Sequence, residues 1–200
     1  MISSGANLLP FGGELYYIEN FLSRSKSDEY FNQLFTEIRW KQEPIKIFGK
    51  EIMQPRLTAW YGDVEKSYTY SGITMTANHW IHPLFEIKSL ADNISGEEST
   101  SVLMNLYRDG NDALGWHRDN EKMLGPAPVI ASVSLGAVRT FQLRNYKDKK
   151  NLLSLDLHPG SLVIMKGDSQ KEWEHRVPRT SKKVGARINL TFRRIGQPAS

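Results

Sequence analysis

A histidine and an aspartate stand two residues apart in Gly115-Trp116-His117-Arg118-Asp119-Asn120. Both side chains bind divalent metals, His through a neutral ring nitrogen and Asp through a carboxylate oxygen. On a strand, positions i and i+2 share a face and lie roughly 6.6 Å apart, close enough to meet one ion. A His-x-Asp pair is a loose signal alone, since chance pairs of this kind are common, and a site needs a third ligand. Of the five His, His175 lies in the strand-like run Trp173-Glu174-His175-Arg176-Val177-Pro178 and can face the pair from a neighbouring strand. The chain has no cysteine, which excludes disulfides, thiolate zinc sites, iron–sulfur clusters and a Cys nucleophile.

Two His and one carboxylate on one side of a metal leave the opposite positions open, the geometry of non-haem Fe(II) oxygenases. The run Ala186-Arg187-Ile188-Asn189-Leu190-Thr191-Phe192-Arg193-Arg194 strengthens that reading. Alternation puts Arg187, Asn189, Thr191 and Arg193 on one face and Ile188, Leu190 and Phe192 on the other. The second set is core. In a sandwich the first would face solvent, but in a barrel it would line a cavity suited to a dianion, because guanidinium matches the two oxygens of a carboxylate. Asn105 and Tyr107, again i and i+2, can hydrogen-bond the same ligand.

The elements that must position these residues are legible in outline. The run from 27 to 39 has Phe31, Leu34, Phe35 and Ile38 at helical spacing after cap residues at 25–28. A second helix is expected near 83–91, opened by Pro83, with Leu84, Ile87 and Ala91 on one face. Between them, residues 43–63 read as strand, turn, strand, with Gly49 at the turn. Beyond residue 100 the runs 101–107, 128–136, 138–144, 152–157, 161–166, 174–177 and 186–194 are short, apolar or alternating, and separated by Gly, Asn, Asp or Pro. Many short strands with turn signals indicate a sandwich or barrel. Trp116 is expected to face away from any metal that His117 faces. His79, His82 and His158 read as loop, turn or helix-start residues.

The 200 residues suffice for one domain, and 40% hydrophobic and 24% charged residues are ordinary for a soluble globular chain. No apolar run approaches the roughly 18–20 residues of a membrane span, and the first residues lack the pattern of a secretory signal. Net charge is +4. Seven Lys or Arg and no acid fall between Arg176 and Arg194. Such a one-signed stretch suits a phosphate backbone, although a solvated basic face reads the same way.

The residues gathered so far resemble the AlkB-type dioxygenases, which use Fe(II), 2-oxoglutarate and O2. The resemblance rests on His117-x-Asp119, His175 with Pro178, the Arg187-to-Arg193 strand, Asn105-Leu106-Tyr107 and Pro55-to-Asp63, and covers about residues 45–195. It implies an α+β, mainly β fold: a double-stranded β-helix (jelly roll) core with N-terminal helices and a substrate-lid hairpin. The chain would then be one domain, with helices and lid in residues 1–100 and the catalytic core in 101–195. His117, Asp119 and His175 would bind iron. Asn105, Tyr107, Arg187, Asn189 and Arg193 would hold 2-oxoglutarate, the two Arg gripping its two carboxylates. Tyr61, Glu121 and Arg56 would contact the substrate base. The segment around Phe48 resembles the finger of duplex-acting DNA repair members, and Lys182 and Lys183 the stretch they lay on phosphate.

The implied activity is oxidative demethylation of N1-methyladenine, N3-methylcytosine and related bases in DNA, duplex or single-stranded, with RNA also open. Formaldehyde, succinate and CO2 would be released. A monomer without membrane contact is expected, in the nucleoid region of a bacterial cytoplasm or in a eukaryotic nucleus. Two other classes stay open: an Fe(II)/2-oxoglutarate oxygenase acting on RNA, protein or a small molecule, and a non-catalytic jelly-roll nucleic-acid binder. Intact metal ligands argue against the last.

Overall fold

Residues 5–47, 50–63, 67–70 and 73–196 are described by the computed structural model. Its strands, in chain order, are β1 (Glu14–Ile18), β2 (Pro44–Ile47), β3 (Lys50–Met53), β4 (Leu57–Gly62), β5 (Ser67–Tyr70), β6 (Ile73–Thr76), β7 (Ser101–Tyr107), β8 (Leu114–His117), β9 (Ile130–Gly136), β10 (Arg139–Asn145), β11 (Leu153–Leu157), β12 (Ser161–Lys166), β13 (Trp173–Val177) and β14 (Arg187–Arg193). The helices are α1 (Arg24–Glu37), α2 (His82–Ser95) and the short α3 (Ser169–Glu172). A six-stranded antiparallel sheet runs β1-β12-β9-β14-β7-β4, and a four-stranded sheet runs β11-β10-β13-β8. Hairpins β2–β3 and β5–β6 form small sheets of their own.

Three layers result, because the six-stranded sheet is buried on both faces. One face packs on the helices: Leu34, Leu84, Ile87 and Ala91 meet Met104, Val133, Leu190 and Phe192. The other face packs on the four-stranded sheet, where Leu15, Leu103, Ile130 and Val163 meet Leu143, Leu157, Trp173 and Val177. Strand β7 is therefore buried at every position, which is why apolar Val102, Leu103, Met104 and Leu106 fall on both of its faces. The described arrangement is the expected jelly roll with helices on one side. No described helix is long and apolar enough to cross a membrane.

Several expectations change in detail. Helix α1 starts at Arg24 because Ser23, whose side chain accepts from the Lys26 amide at 3.3 Å, is the N-cap. Its buried stripe is Tyr30, Leu34 and Ile38, whereas Phe35 is 44% exposed and stacks on Phe31 with centroids 5.6 Å apart. Helix α2 runs past Ala91 to Ser95 and ends on Gly96, whose φ of 77° supplies the left-handed cap. The six-stranded sheet recruits β1 and β4 from the first hundred residues, so the core is not confined to 101–195. β4 pairs with β7 from Leu57 to Gly62 and is a sheet edge rather than a detached lid. β1, which pairs with β12, carries too little alternation to be read as a strand in advance.

Leu190 is fully buried on the helix-facing side of β14. Leu190→Ala is expected to cost about 2–5 kcal/mol by leaving a cavity. Thermal unfolding should show a midpoint lower by several degrees, with metal binding at the opposite face unchanged.

Candidate active site

The cavity between the sheets is lined by residues from both. From the four-stranded sheet come His117, Phe141, Leu157, His175 and Val177, and from the six-stranded sheet Leu103, Asn105, Tyr107, Met165, Arg187, Asn189, Thr191 and Arg193, with Arg56 and Asp119 contributed by loops. The strand ladder sets much of this. His175 lies directly opposite His117 in the β13–β8 register. Arg187 lies opposite Tyr107, and Asn189 opposite Asn105.

The His117 and His175 rings are 4.2 Å apart, centroid to centroid. Asp119 Oδ2 lies 3.8 Å from His175 Nε2. One ligand atom from each of the three side chains falls within 4.8 Å of the others. His117 Nδ1 is 2.9 Å from the Gly115 carbonyl. With the proton on Nδ1 for that bond, Nε2 is left with its lone pair free. Burial pushes the His175 pKa down to about 3, and His117 nearby adds to it. Burial also lowers His117, against the opposing pull of Asp119. For Asp119 burial acts upward, but Arg193, His175 and His117 outweigh it and hold the carboxyl below its ordinary value. Two neutral imidazoles and an ionised carboxylate are the protonation states that metal ligation requires. The donor set therefore fits a divalent ion with open positions.

Asp119 itself is not on a strand, contrary to the i, i+2 argument, because β8 ends at His117. Its carboxylate is held by Arg193, whose Nη2 donates to Oδ1 at 2.7 Å. Its backbone N–H donates to Gln170 Oε1 at 2.9 Å. Nothing in the sequence singled out Gln170, which comes from the short α3 fifty-one residues away.

Three buried guanidiniums, Arg56, Arg187 and Arg193, and the half-buried Arg176 line the cavity against one carboxylate among the described lining residues, Asp119. Buried charge of one sign calls for an anionic partner. Arg187 is 1% exposed, and burial lowers its pKa to about 10. Its Nη2 donates to Ser134 Oγ at 2.9 Å, while Nε and Nη1 have no hydrogen-bond partner among the described residues. The buried Tyr107 hydroxyl is in the same position. Two donors of a guanidinium fork and a hydroxyl, all dry and all at one end of the cavity, fit a carboxylate. Asn189 is held by Ser132 Oγ at 2.7 Å, and Thr191 donates to Asn189 Oδ1 at 3.1 Å.

Other expected contacts are placed differently. Arg193 is engaged with Asp119, so the two Arg of β14 do not stand as an equivalent pair of carboxylate clamps. Arg56 is buried and donates from Nε to Asn105 Oδ1 at 2.6 Å, which ties it to β7. Tyr61 packs in the helix-facing core, because alternation along β4 sends Trp60 toward the inter-sheet core and Tyr61 away from it. Glu121 is the N-cap residue of the short 3-10 turn Lys122–Leu124 and is not among the residues that line the cavity. Phe48 lies outside the described residues, as does Gly49. Lys182 and Lys183 are exposed, on the segment between β13 and β14. The one-signed stretch is divided by the fold, since Arg187 and Arg193 are buried in the cavity. Trp116 faces outward as expected, between the guanidiniums of Arg144 at 4.0 Å and Arg176 at 4.4 Å. His82 starts α2, and His158 sits in the turn before β12.

With this geometry in view, comparison with known proteins is specific. The profile of the 2OG-Fe(II) oxygenase superfamily matches residues 14–193. The alpha-ketoglutarate-dependent dioxygenase alkB homolog 3 of Homo sapiens is 39% identical over 184 residues, covering 88% of this chain and 64% of that protein. The DNA oxidative demethylase ALKBH2 of Homo sapiens is 37% identical over 183 residues, covering 86% of this chain and 70% of that protein. The chain thus spans 64% of the length of the alkB homolog 3 relative. A solved structure titled "The structure of OsALKBH1" superposes with a TM-score of 0.66 at 17% identity, over 90% of this chain and 97% of that one, and supports the fold.

Two measurements follow from the buried charges. Arg187→Met should keep the unfolding midpoint of the ligand-free protein near the parent value, since it replaces an incompletely paired buried cation with an apolar chain of similar reach. It should abolish the rise in midpoint that added 2-oxoglutarate with Mn(II) gives the parent. The second concerns pH. In the folded metal-free protein His175 stays neutral down to about pH 3, while the unfolded chain takes up its proton near pH 6.5. Its contribution to stability is therefore complete above about 6.5 and is lost as pH falls toward 3. Urea unfolding of the metal-free protein between pH 7 and 4 should show that slope, and His175→Phe should flatten it.

Proposed function

The chain belongs to the 2OG-Fe(II) oxygenase superfamily, and on that premise we propose that it is an Fe(II)- and 2-oxoglutarate-dependent dioxygenase that removes N-linked methyl groups from alkylated bases in DNA. The observation that carries this reading is the joining of two sites in one dry cavity. A His-Asp-His donor set within 4.8 Å lines the same cavity as Arg187 and Tyr107, whose buried donors lack protein partners among the described residues. His117, His175 and Asp119 Oδ2 would hold the metal. Arg187 and Tyr107 would take the distal carboxylate of 2-oxoglutarate, with Asn105 and Asn189 beside it. Fe(II), 2-oxoglutarate and O2 supply the oxidation that hydroxylates the methyl carbon, which then leaves as formaldehyde while the co-substrate becomes succinate and CO2.

The protein's own part is to hold and to exclude. Phe141, Leu157, Met165 and Val177 line the cavity with apolar surface and keep water out. Arg193 on Asp119 keeps the carboxylate ionised and turned. A DNA substrate is supported by the names of the relatives, one of them a DNA oxidative demethylase, and by two surface features. The β2–β3 hairpin stands apart from both large sheets, with Ile52 47% and Met53 51% exposed, as suits an apolar wedge that holds a duplex open while one base is extruded. The segment bearing exposed Lys182 and Lys183 is moored at the site, because Thr180 N–H donates to Gly110 O at 2.9 Å and Arg139 donates to Pro178 O at 2.7 Å. Phosphate contacts from such a segment position the strand.

Formaldehyde release from an oligonucleotide carrying one N1-methyladenine, with Fe(II), ascorbate and 2-oxoglutarate, tests the proposal. Release lost in His117→Ala is expected, from duplex and single strand alike. Phe48→Ala should lower the duplex rate several-fold more than the single-strand rate if the hairpin acts as a wedge. Succinate without formaldehyde from either oligonucleotide would assign the oxygenase another substrate.

A further inference from the structure

Asp119 is the one member of the donor set that the strand ladder does not fix. His117 and His175 are opposed in register across β8 and β13, but β8 stops at His117. Two residues later the chain is held by α3. Gln170 Oε1 accepts from the Asp119 backbone N–H at 2.9 Å, and Arg118 Nη1 donates to the Lys171 carbonyl at 3.3 Å. Gln170 is 2% exposed and Asp119 is 2% exposed, so this amide–amide bond is dry. The oxygen of Gln170 must point at Asp119, because a backbone N–H can only donate, which turns Nε2 toward Met165 Sδ at 3.4 Å.

A four-residue helix is a poor anchor unless something anchors it. Here the segment before β1 does so. Gly13, at a φ of 111°, lies so close that a Cβ there would sit 2.2 Å from the Ser169 amide nitrogen. Trp173 Nε1 donates to the Phe11 carbonyl at 3.0 Å at the other end of α3. The N-terminal segment thus presses α3 into place, and α3 presents Gln170 to Asp119.

We infer that Gln170 is a positioning residue of the metal centre: its carboxamide sets the height and direction of Asp119, and hence the reach of Oδ2 toward the ion. The inference rests on His117, Asp119 and His175 being the metal ligands. Partners that orient metal ligands change affinity about 10–100-fold when removed.

The test is Co(II) titration of the metal-free full chain, followed by its visible absorption and without turnover. Gln170→Met removes the acceptor at similar volume, and Gln170→Glu keeps an oxygen at the same reach. Leu190→Ala serves as a control that destabilises the fold away from the site. The expected result is a weakening of Co(II) affinity by about tenfold in the Met variant, affinity within about threefold of the parent in the Glu variant, and no change in the Leu190 control. In the metal-free protein the Asp119 amide proton should exchange slowly in the parent and the Glu variant and fast in the Met variant. Parent-like affinity in the Met variant would overturn the inference, as would equal loss in both Gln170 variants. A Met variant that does not fold leaves the decision to the Glu variant, where weakened binding or a fast-exchanging Asp119 amide overturns it. Failure of the parent itself to bind Co(II) would instead strike the metal-site reading, and this inference with it.

Discussion

Burying charge between two apolar sheets is the constraint around which the rest of the molecule is arranged. Arg56, Arg187 and Arg193 enter a space walled by Leu, Phe, Met and Val, and among the described lining residues one carboxylate, Asp119, is there to meet them. An ionised group taken out of water costs several kcal/mol unless it is paired and hydrogen-bonded. The fold answers part of that cost with Ser134, Asn105 and Asp119 and leaves the remainder open at Arg187 and Tyr107. Groups of that kind suit an anionic ligand.

Holding such groups in place requires a rigid wall, and the three-layer arrangement supplies it. Strand β14 is central in the six-stranded sheet, bonded to β7 and β9 over its whole length. Its apolar face is locked by helices α1 and α2, so the polar face has no freedom to turn. The two His of the donor set use the opposite sheet, where register alone puts His117 against His175. Asp119 lies where one sheet has ended, and it is held from two sides: by Arg193 of the six-stranded sheet and by Gln170 of α3. The centre is thus assembled from both sheets and from a short helix that neither sheet contains.

Around this rigid interior the surface carries elements of a different kind. The β2–β3 hairpin belongs to neither large sheet. The outer face of the four-stranded sheet is built from aromatic and cationic groups in contact, with Trp116 between Arg144 and Arg176 and Tyr146 under Arg118 at 3.6 Å. Such stacking allows a half-buried Trp and two cations to share one solvent-facing layer.

How much of this was written in the sequence depends on the range of the interaction that decided each part. Alternation along residues 186–194 and the apolar runs after residue 100 named the strands, because side-chain direction in a strand is a local rule. The same rule named Arg187, Asn189, Asn105 and Tyr107 as neighbours and sent Trp116 outward. It stops where a strand stops: Asp119 lies beyond the end of β8, and Tyr61, singled out by resemblance alone, is on the helix-facing side of β4. The pairing of Arg193 with Asp119, the hold of Gln170 on the same residue and the recruitment of β1 and β4 into the catalytic sheet are contacts between segments far apart in the chain. No local pattern encodes them, because each partner taken alone is an ordinary polar residue or an ordinary edge strand. The sequence determined which residues could make a metal and carboxylate site; the packing of two sheets, two helices and α3 decided which of them share it.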